Sequence, residues 1–557
     1  MNAKTKKIII IAAAVLLVAA LVTVILVCSN RGTGDKELDA AIKSGKLILN
    51  VATYDGGIGT DWIKASKAEF EAMYADRQFG GKKGVYINLI GNKQLGGDTI
   101  ENDSLKYDVY FTEMVNYYSF VNKGKFADIS DIVKGSYPAE FGASAEEGSI
   151  ESKLQDSWKE YLTSKDGKYY ALPFYDGLYG IFYDVDLFEE NNWYFNRAGV
   201  FRGMGEKSLG LDGIEGTDDD GLPTTYEQFA EMLYGIVSAG YTPFSYAGGV
   251  EYVQRMLANL WSNYEGLEQM QLNNTFDGMA DHIVTSFDAD GNPIIGTAEI
   301  NAGNGYLLQK QAGKYYALDF LKNVVLGSTG NYSGPAVNGY GFRQAQTNFV
   351  TGRYKNKAEK FAMLIDGAWW EHEATTDFDL VAQRNPGQTK ATRKFGFMPV
   401  PKVNDSQTYE KQTLVSQNNS YCFVNANSAN MEAAKLFLQF VHTDRQLAQF
   451  TVGTSVTRSL NYEMSDEQLA ACSYYGRNIY RTKKSADIYY PVSSVDYVVN
   501  NIGYYDFETS WCWLSKNGTV QSTEVLSRIA GGETPRKYFE GLSEYFNAGS
   551  WKGKKEE

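Results

Sequence analysis

The sequence KLILNVATYDGGIGTDWIKASKAEFEAMY, residues 46–74, decides the fold. Its apolar first part predicts a buried strand over Lys46–Thr53, and the apolar spacing of its last part predicts an amphipathic helix over Asp61–Tyr74. The glycine-rich segment between them predicts a tight turn. A strand followed at once by a helix is the repeating unit of an α/β protein.

Two further short apolar strands are predicted over Val85–Ile90 and Tyr107–Phe111. Strands that alternate with helices predict a mainly parallel sheet, in which ligands bind at the carboxyl ends of the strands. The polar residues that follow the predicted strands are therefore candidate ligand contacts. They are Tyr54, Thr112, Glu113 and Asn116.

The composition excludes one class of partner. The chain of 557 residues carries 53 Lys and Arg against 67 Asp and Glu, a formal net charge of −14, which excludes nucleic acid as a partner. With 43% hydrophobic and 22% charged residues it has the composition of a globular protein, and domains of about 150 residues would number two to four. The 40 Tyr outnumber the 29 Phe and 9 Trp together, which indicates a specific use of tyrosine.

An export signal is predicted at the N-terminus. Lys4, Lys6 and Lys7 precede the uncharged apolar run Ile8–Val27, and Cys28 follows directly. This order resembles a bacterial lipoprotein signal, in which the cysteine becomes the lipidated first residue. The run is also long enough to span a bilayer, and Val27 departs from the small residue that such a signal favours before its cysteine. Lipidation of Cys28 and an uncleaved membrane anchor are therefore both open.

Either alternative places the remainder of the chain on the outer face of the cell membrane as an extracellular body. Residues 1–27 are the predicted signal or anchor, and residues 28–45 are a predicted polar tether. Only Cys422, Cys472 and Cys512 remain in the body, which is too few for a disulfide framework. We expect these cysteines to be mostly buried and to pack as small apolar side chains. At most one disulfide can form among them.

Five segments in order carry a resemblance to a known family. They are GKYYALPFYDGLYGIFYDVDLFEENNW (Gly167–Trp193), LPTTYEQFAEML (Leu222–Leu233), FAMLIDGAWW (Phe361–Trp370), KFGFMPVPK (Lys394–Lys402) and an Asn- and Ser-rich stretch before a predicted helix over Met431–His442. Behind an export signal, this series resembles the family 1 extracellular solute-binding proteins of carbohydrate ABC importers, the group that includes maltose-binding protein. The resemblance spans about residues 46–551.

The resemblance implies an α/β, two-lobed periplasmic-binding-protein-like fold, in which each lobe is a sheet flanked by helices and the ligand cleft lies between the lobes. Lobe one would hold residues 46–172 plus 402–455, and lobe two residues 173–401 plus 456–557. The implied function is that of a membrane-tethered extracellular protein, not an enzyme, that captures a carbohydrate, most simply an oligosaccharide. It would deliver this ligand to an ABC permease by closing the cleft, and it would require no cofactor.

Sugars present hydroxyl rims and apolar C–H faces, so a sugar site needs flat aromatic side chains together with carboxylates and amides. By resemblance, the sugar-binding positions are Tyr54, Asp55, Thr112, Glu113, Asn116, Tyr175, Asp176, Tyr252 and Trp369. Further candidates are Trp261, Trp370 and the Trp511–Trp513 segment. Core packing is the commoner role of a single Trp or Tyr. Trp369 is the exception, because its whole DGAWW turn matches the position of the family's stacking tryptophan.

The segment LGLDGIEGTDDDGLP, Leu209–Pro223, is here called the acidic loop, and it has two alternative interpretations. Four carboxylates lie among its glycines and could supply oxygen ligands to one Ca²⁺: Asp212, Glu215, Asp218 and Asp220. The loop lacks the twelve-residue spacing and the terminal Glu of an EF-hand. A structural Ca²⁺ site and a solvated acidic turn therefore stand as equal alternatives.

Catalytic motifs are scarce in the sequence. His372 and Glu373 begin an HExxH motif, but Thr376 replaces its second histidine, and the chain contains neither a P-loop motif nor GxSxG. The best enzymatic alternative is a glycoside hydrolase that uses two carboxylates from Asp366, Glu371 and Glu373. A carbohydrate sensor or adhesin ectodomain with the same fold is a further alternative.

Overall fold

A computed structural model describes residues 35–102, 107–113, 115–248, 251–327, 341–417, 420–501, 524–545 and 547–551. The predicted signal or anchor, Cys28, Cys512 and the Trp511–Trp513 segment lie outside these residues. Within them, no helix combines the length and the apolar character that crossing a membrane requires.

The described residues contain fifteen strands. They are β1 (Leu47–Tyr54), β2 (Gln78–Phe79), β3 (Lys82–Lys83), β4 (Val85–Asn92), β5 (Val109–Thr112), β6 (Leu172–Pro173), β7 (Tyr179–Asp184), β8 (Thr242–Tyr246), β9 (Gly278–Phe287), β10 (Pro293–Ile300), β11 (Phe361–Gly367), β12 (Phe395–Phe397), β13 (Thr413–Val415), β14 (Tyr421–Val424) and β15 (Asp487–Tyr489).

Helices connect and cover these strands. The α-helices are Lys36–Lys43, Lys64–Met73, Gly97–Glu101, Tyr117–Asn122, Ser130–Lys134, Ile150–Lys153, Asp156–Leu162, Val185–Asn191, Tyr226–Ser238, Tyr252–Glu265, Leu267–Thr275, Ala312–Asp319, Phe342–Gly352, Trp370–Glu373, Thr375–Arg384, Met431–Phe440, Asp444–Thr454, Asp466–Ala471, Tyr474–Ser485, Asp496–Asn500, Glu524–Ala530 and Pro535–Tyr545.

The first helix corrects the predicted tether. Lys36–Lys43 lies within the segment expected to be an irregular linker, but it forms a helix that Asp35 caps by accepting from the backbone N–H of Glu37 at 2.9 Å. Ala41 of this helix is buried. The folded body therefore begins about ten residues earlier than the sequence pattern predicts.

The first of the two main sheets has the strand order β4-β1-β5-β14-β6. β1 runs parallel to β4 and β5, whereas β14 is antiparallel to β5 and β6. Helices close its buried side: Phe70 of Lys64–Met73 packs edge-on against Phe437 of Met431–Phe440, with 5.2 Å between ring centroids. The strand, turn and helix of residues 46–74 thus form the centre of this unit.

The second sheet has the order β12-β7-β11-β8, in which β7 is antiparallel to β11 and β12, and β11 is parallel to β8. All six residues of β7 are buried, as expected for a strand covered on both faces. The three strands from which a parallel sheet is predicted, β1, β4 and β5, do pair in parallel. Each sheet as a whole is mixed, because β14 and β7 join it in antiparallel pairs. Strands such as β7 and β14 are reached by chain crossings between the sheets, so no βαβ connection imposes parallel pairing on them.

Three chain segments run side by side between the two sheets. Tyr175 forms a bridge with Arg458, and Leu178 forms one with Ser416. The backbone N–H of Gly177 donates to Oγ of Ser416 at 3.0 Å. The exact boundaries of the two lobes stay a prediction.

Candidate ligand-binding site

The turns that follow β1 and β11 meet between the two sheets. A Cβ atom added to Gly57 would lie 2.2 Å from Cδ1 of Trp369, and one added to Gly59 would lie 2.7 Å from Nε2 of His372. Only glycine lets a backbone approach these rings so closely. The glycine-rich turn after β1 therefore packs directly on the DGAWW turn after β11.

Three tyrosines surround Trp369, and the four rings are here called the aromatic cluster. Tyr179 lies edge-on to the indole at 5.1 Å between ring centroids, and Tyr175 and Tyr252 do so at 6.4 Å each. Edge-to-face contacts of this kind favour one relative orientation of the rings. Sequence reasoning missed Tyr179, although it lies in the tyrosine-rich Gly167–Trp193 segment that signals the family.

Four carboxylates act on Tyr54 or on tyrosines of the aromatic cluster and are here called the carboxylate cluster: Asp55, Glu113, Asp366 and Glu373. Asp55 and Glu113 follow strands of the first sheet, whereas Asp366 and Glu373 belong to the second unit. Tyr54 is affected by carboxylates of both units. Its hydroxyl pKa is raised mainly by burial and also by the charges of Glu113, Glu373 and Asp55. The site thus draws its acidic groups from both sides.

The pKa of Glu113 is brought close to neutrality. Burial raises its pKa to about 7; the hydrogen bond that the Tyr175 hydroxyl donates to it and the charge of Arg255 act downward, while Glu373 acts upward. Like charges that face each other in a water-poor site disfavour the ionised form.

Gln346 links the two carboxylates of the second unit. Its Nε2 donates to Oε2 of Glu373 at 2.7 Å and to Oδ2 of the fully buried Asp366 at 3.2 Å. Burial, followed by the charge of Glu373, raises the pKa of Asp366 well above its usual range. Sequence reasoning missed Gln346, because an amide within the helix Phe342–Gly352 carries no local signal of its partners.

Arg255 is a cation in contact with the aromatic cluster. Its guanidinium carbon lies 5.1 Å from the ring centroid of Tyr179, within cation–π distance. Its Nη2 also lies 3.1 Å from Oε1 of Glu251, so part of its charge is already balanced within its own helix. The helix Tyr252–Glu265 thereby places both Tyr252 and Arg255 at the site.

Asp176 does not lie at the ligand surface, contrary to the prediction. It is fully buried, and its oxygens accept from Nζ of Lys483 at 2.8 Å, Oγ1 of Thr457 at 2.7 Å and the hydroxyl of Tyr490 at 2.8 Å. These donors come from segments far away in the sequence. Asp176 is therefore part of a structural ion pair where the chain segments cross.

Trp261 and Trp370 are also corrections to the predicted site, since both are fully buried. Trp370 packs against Phe395 at 5.0 Å and Tyr475 at 5.4 Å between ring centroids, and Lys314 covers the ring of Trp261 at 4.5 Å. A stacking residue must present one ring face to its ligand, and neither does so.

Thr112 and Asn116 serve the backbone near the site. Oγ1 of Thr112 donates to the carbonyl oxygen of Leu95 at 2.5 Å, and Oδ1 of Asn116 accepts from the N–H of Ser119 at 3.0 Å. Asn116 thereby caps the helix Tyr117–Asn122. Both residues position the segment that carries Glu113.

Glu371 lies apart from the carboxylate cluster. It is fully buried, and its Oε2 accepts from the hydroxyls of Ser455 at 2.6 Å and Ser473 at 2.9 Å. These contacts do not favour Glu371 as a member of the carboxylate pair in the hydrolase alternative.

Each of the four carboxylates predicted as calcium ligands contacts a protein group. Asp212 accepts from the N–H of Ile214 at 2.7 Å and Asp220 from that of Gly216 at 2.8 Å, while Asp218 pairs with Arg481 and Glu215 with Arg197. In the described part of the chain, no group of three or more His, Cys, Asp or Glu residues is arranged to hold a metal ion. The calcium prediction is therefore not supported.

Asp219, which the calcium interpretation did not use, organises the loop. Its Oδ2 accepts from the N–H of Leu211 at 2.6 Å and from that of Asp212 at 3.1 Å, and its Oδ1 accepts from Thr217 at 2.7 Å. The Asp219 carboxylate thus holds the loop together by hydrogen bonds, as a bound cation holds a metal-binding loop together by coordination. A pocket of about 360 Å³ borders this loop and the helix Tyr474–Ser485, away from the aromatic cluster.

Cys422 and Cys472 are free and buried, which confirms the expectation for these two cysteines.

The fold defines a class: a two-lobed α/β binding protein. The sequence profile of the bacterial extracellular solute-binding proteins matches residues 64–448. The chain belongs to this family, and it is a binding protein rather than an enzyme.

Solved structures share the fold at low identity. RafE from Streptococcus pneumoniae, in its apo form, aligns with a TM-score of 0.53 and 13% identity over 91% of this chain and 98% of RafE. A chitin oligosaccharide binding protein aligns with a TM-score of 0.50 and 13% identity, over 91% of this chain and 100% of its own. The GacH receptor of Streptomyces glaucescens aligns with a TM-score of 0.50 and 14% identity, over 90% of this chain and 98% of GacH. No curated protein matches the chain in sequence.

Proposed function

We propose that the protein captures a carbohydrate in the cleft between its lobes, outside the cell, and delivers it to an ABC permease. The observation that carries this proposal is the aromatic cluster beside the carboxylate cluster, with groups from both lobes. Trp369 offers a flat apolar face for a sugar ring, and Tyr54, Asp55 and Glu113 offer partners for its hydroxyl groups. Tyr175 and Tyr252 complete the proposed site.

Relatives with this fold support a saccharide as the ligand. RafE has been solved with raffinose, and GacH with acarbose and an acarbose homolog. A neutral oligosaccharide could bind by the same combination of stacking and hydrogen bonding. The N-terminal signal would hold the protein at the outer membrane face, through lipidated Cys28 or an anchor, where a permease could receive the closed form.

The contact between the glycine-rich turn after β1 and the DGAWW turn after β11 supports a closing mechanism. Trp369 is only 7% exposed in this arrangement, so a ligand can reach its ring only when the lobes move apart. Ligand contacts from both lobes would then stabilise the closed form over the open form. A permease that recognises only the closed form would receive only loaded protein.

Isothermal titration with neutral, amino and acetylated saccharides tests the proposal. Binding should occur without hydrolysis, and Trp369→Ala should lower the affinity by about tenfold or more because the stacking surface is lost. Tyr234→Ala is the control, since Tyr234 is 68% exposed on the helix Tyr226–Ser238. Release of new reducing ends would contradict the proposal in favour of a hydrolase. Binding without permease genes beside the gene would favour a sensor or adhesin.

A further inference from the structure

The cavity between the acidic loop, the segment 409–412 and the helix Tyr474–Ser485 is here called the loop pocket. Its volume is about 360 Å³, at the lower end of the range of about 300–1,000 Å³ that is usual for small-molecule sites. Its lining shares no residue with the aromatic cluster or the carboxylate cluster. The proposed function therefore makes no use of this cavity.

Two rings and a proline form the apolar wall of the loop pocket: Phe397, Pro399 and Tyr409. Both rings are held by neighbours outside the pocket. Phe397 packs edge-on against Phe182, with 5.5 Å between ring centroids, and the Tyr409 hydroxyl accepts from Nδ2 of Asn263 at 3.2 Å. A fixed apolar wall of this kind can take the C–H face of a sugar ring.

Asn478 supplies an unused hydrogen-bond donor to the loop pocket. The residue lines the pocket, it is only 3% exposed, and its Oδ1 accepts from the backbone N–H of Phe397 at 2.7 Å. Its Nδ2 donates to no acceptor among the residues that the structure describes. Because Oδ1 is already taken, Nδ2 is the polar atom that this side chain offers to a ligand.

The charged groups of the loop pocket favour a neutral ligand. The three carboxylates of the acidic loop that line it accept hydrogen bonds from the loop backbone or from Arg481, at distances of 2.6 to 3.2 Å. Glu410 and Lys411, the other charged neighbours of the pocket, are exposed and opposite in sign. An ionic ligand therefore finds no buried counter-charge without a partner, whereas hydroxyl groups can bond to the charged side chains that are present.

The helix Tyr474–Ser485, which forms one wall of the loop pocket, is anchored on its other side. Nζ of Lys483 pairs with the buried Asp176 at 2.8 Å, and the Tyr475 hydroxyl donates to the carbonyl oxygen of Ala368 at 2.7 Å. These contacts hold the polar wall in place before a ligand arrives. A preorganised wall lowers the free energy that ordering the site costs on binding.

We propose that the loop pocket is a second binding site, separate from the cleft, for a neutral saccharide of one or two rings. The C–H face of one ring lies on the apolar wall. Its hydroxyl groups accept from Nδ2 of Asn478 and donate to the carboxylate of Asp218. The site stands on its own residues, so it does not depend on the proposed function of the cleft.

Hydrogen–deuterium exchange of the full-length protein in mild detergent tests the proposal. The probes are glucose, galactose, maltose and lactose, each at millimolar concentration. We expect at least one of them to slow exchange in the segments that form the loop pocket: residues 211–219, 409–412 and 474–485. Trp369→Ala should retain this protection, because it removes the stacking ring of the cleft and no residue of the loop pocket.

Three variants locate the ligand. Ser485→Phe adds a ring at an exposed position of the pocket lining and should abolish the protection, because the ring occupies the ligand's space. Lys484→Phe is the control, since it adds the same ring at an exposed position outside the lining. Asn478→Asp keeps the acceptor for the N–H of Phe397 but removes the donor, so the saccharide concentration that gives half the protection should rise about fivefold or more. Circular dichroism checks that each variant is folded.

The outcomes separate the loop pocket from the cleft. Unchanged exchange in its segments with all four sugars would overturn the proposal and leave sugar capture in the cleft intact. Protection that Trp369→Ala removes would come from the cleft and would also overturn the second site. Protection that persists in Ser485→Phe would place the ligand elsewhere, and an unchanged half-protection concentration in Asn478→Asp would contradict the role of its donor.

Discussion

Replacing Asp176 by Asn should destabilise the protein strongly, although the two side chains have the same shape. Asp176 is fully buried and accepts hydrogen bonds from Lys483, Thr457 and Tyr490. Burial lowers the pKa of Lys483, while the charge of Asp176 acts to raise it. Loss of the carboxylate charge therefore leaves a buried ammonium group without its counter-charge.

The expected magnitude follows from that uncompensated charge. Removing one partner of a buried ion pair costs about 3–5 kcal/mol of unfolding free energy, whereas removing an exposed partner costs about 1 kcal/mol or less. The exposed control is Glu540→Gln, whose side chain is 52% exposed and pairs with Arg536 at 2.9 Å. Urea unfolding followed by circular dichroism measures both.

A second variant separates charge from packing. Adding Lys483→Met to Asp176→Asn removes the orphaned ammonium group, so the double variant should be more stable than Asp176→Asn alone. The ion pair is not what stabilises the crossing if the unfolding free energy of Asp176→Asn lies within about 1 kcal/mol of that of the unaltered protein. The same conclusion follows if the effects of the two substitutions on the unfolding free energy simply add.

Three further predictions concern closure, pH and metal. Gly57→Ala should weaken ligand affinity by about tenfold or more and open the lobes, because the added Cβ would lie 2.2 Å from Trp369. The control is Gly96→Ala, whose added Cβ would have no atom within 4 Å. Small-angle scattering measures the opening of the lobes. An unchanged scattering profile in Gly57→Ala would count against the turn contact. Burial and the charge of Arg458 lower the pKa of His442 well below its usual value, so unfolded chains bind a proton there that the folded protein does not. Stability should fall as the pH drops below about 6.5, and His442→Gln should reduce that slope in thermal melts; an identical slope would refute the assignment. EDTA followed by Ca²⁺ should leave the melting temperature unchanged, since carboxylates of the acidic loop accept hydrogen bonds from its own backbone. A rise in melting temperature with Ca²⁺ would restore the calcium interpretation.

Much of the local structure could be predicted from the sequence. The strand predicted over Lys46–Thr53 is β1 (Leu47–Tyr54), and the helix predicted over Met431–His442 is found over Met431–Phe440. The helix predicted over Asp61–Tyr74 is a short 3₁₀ turn, Asp61–Ile63, that continues as Lys64–Met73. Apolar periodicity sets these elements because each must bury one face.

The pairing of the strands could not be predicted in the same way. Antiparallel partners such as β14 reach the first sheet only after the chain has crossed to the second unit and returned. Periodicity describes a strand's faces but not its neighbours, so the mixed sheets depend on contacts between residues hundreds of positions apart.

By itself, the sequence determined the family, because the motifs of that family occur in order along the chain. The export signal and the stacking role of Trp369 stay predictions. Only the tertiary structure decided which acidic and aromatic side chains share the site. It places Tyr179 and Gln346 there, and it buries Asp176 against Lys483 and Tyr490, more than 300 residues away. Chemical type and spacing state what a side chain can do, but burial and charge partners, which depend on distant segments, decide what it does.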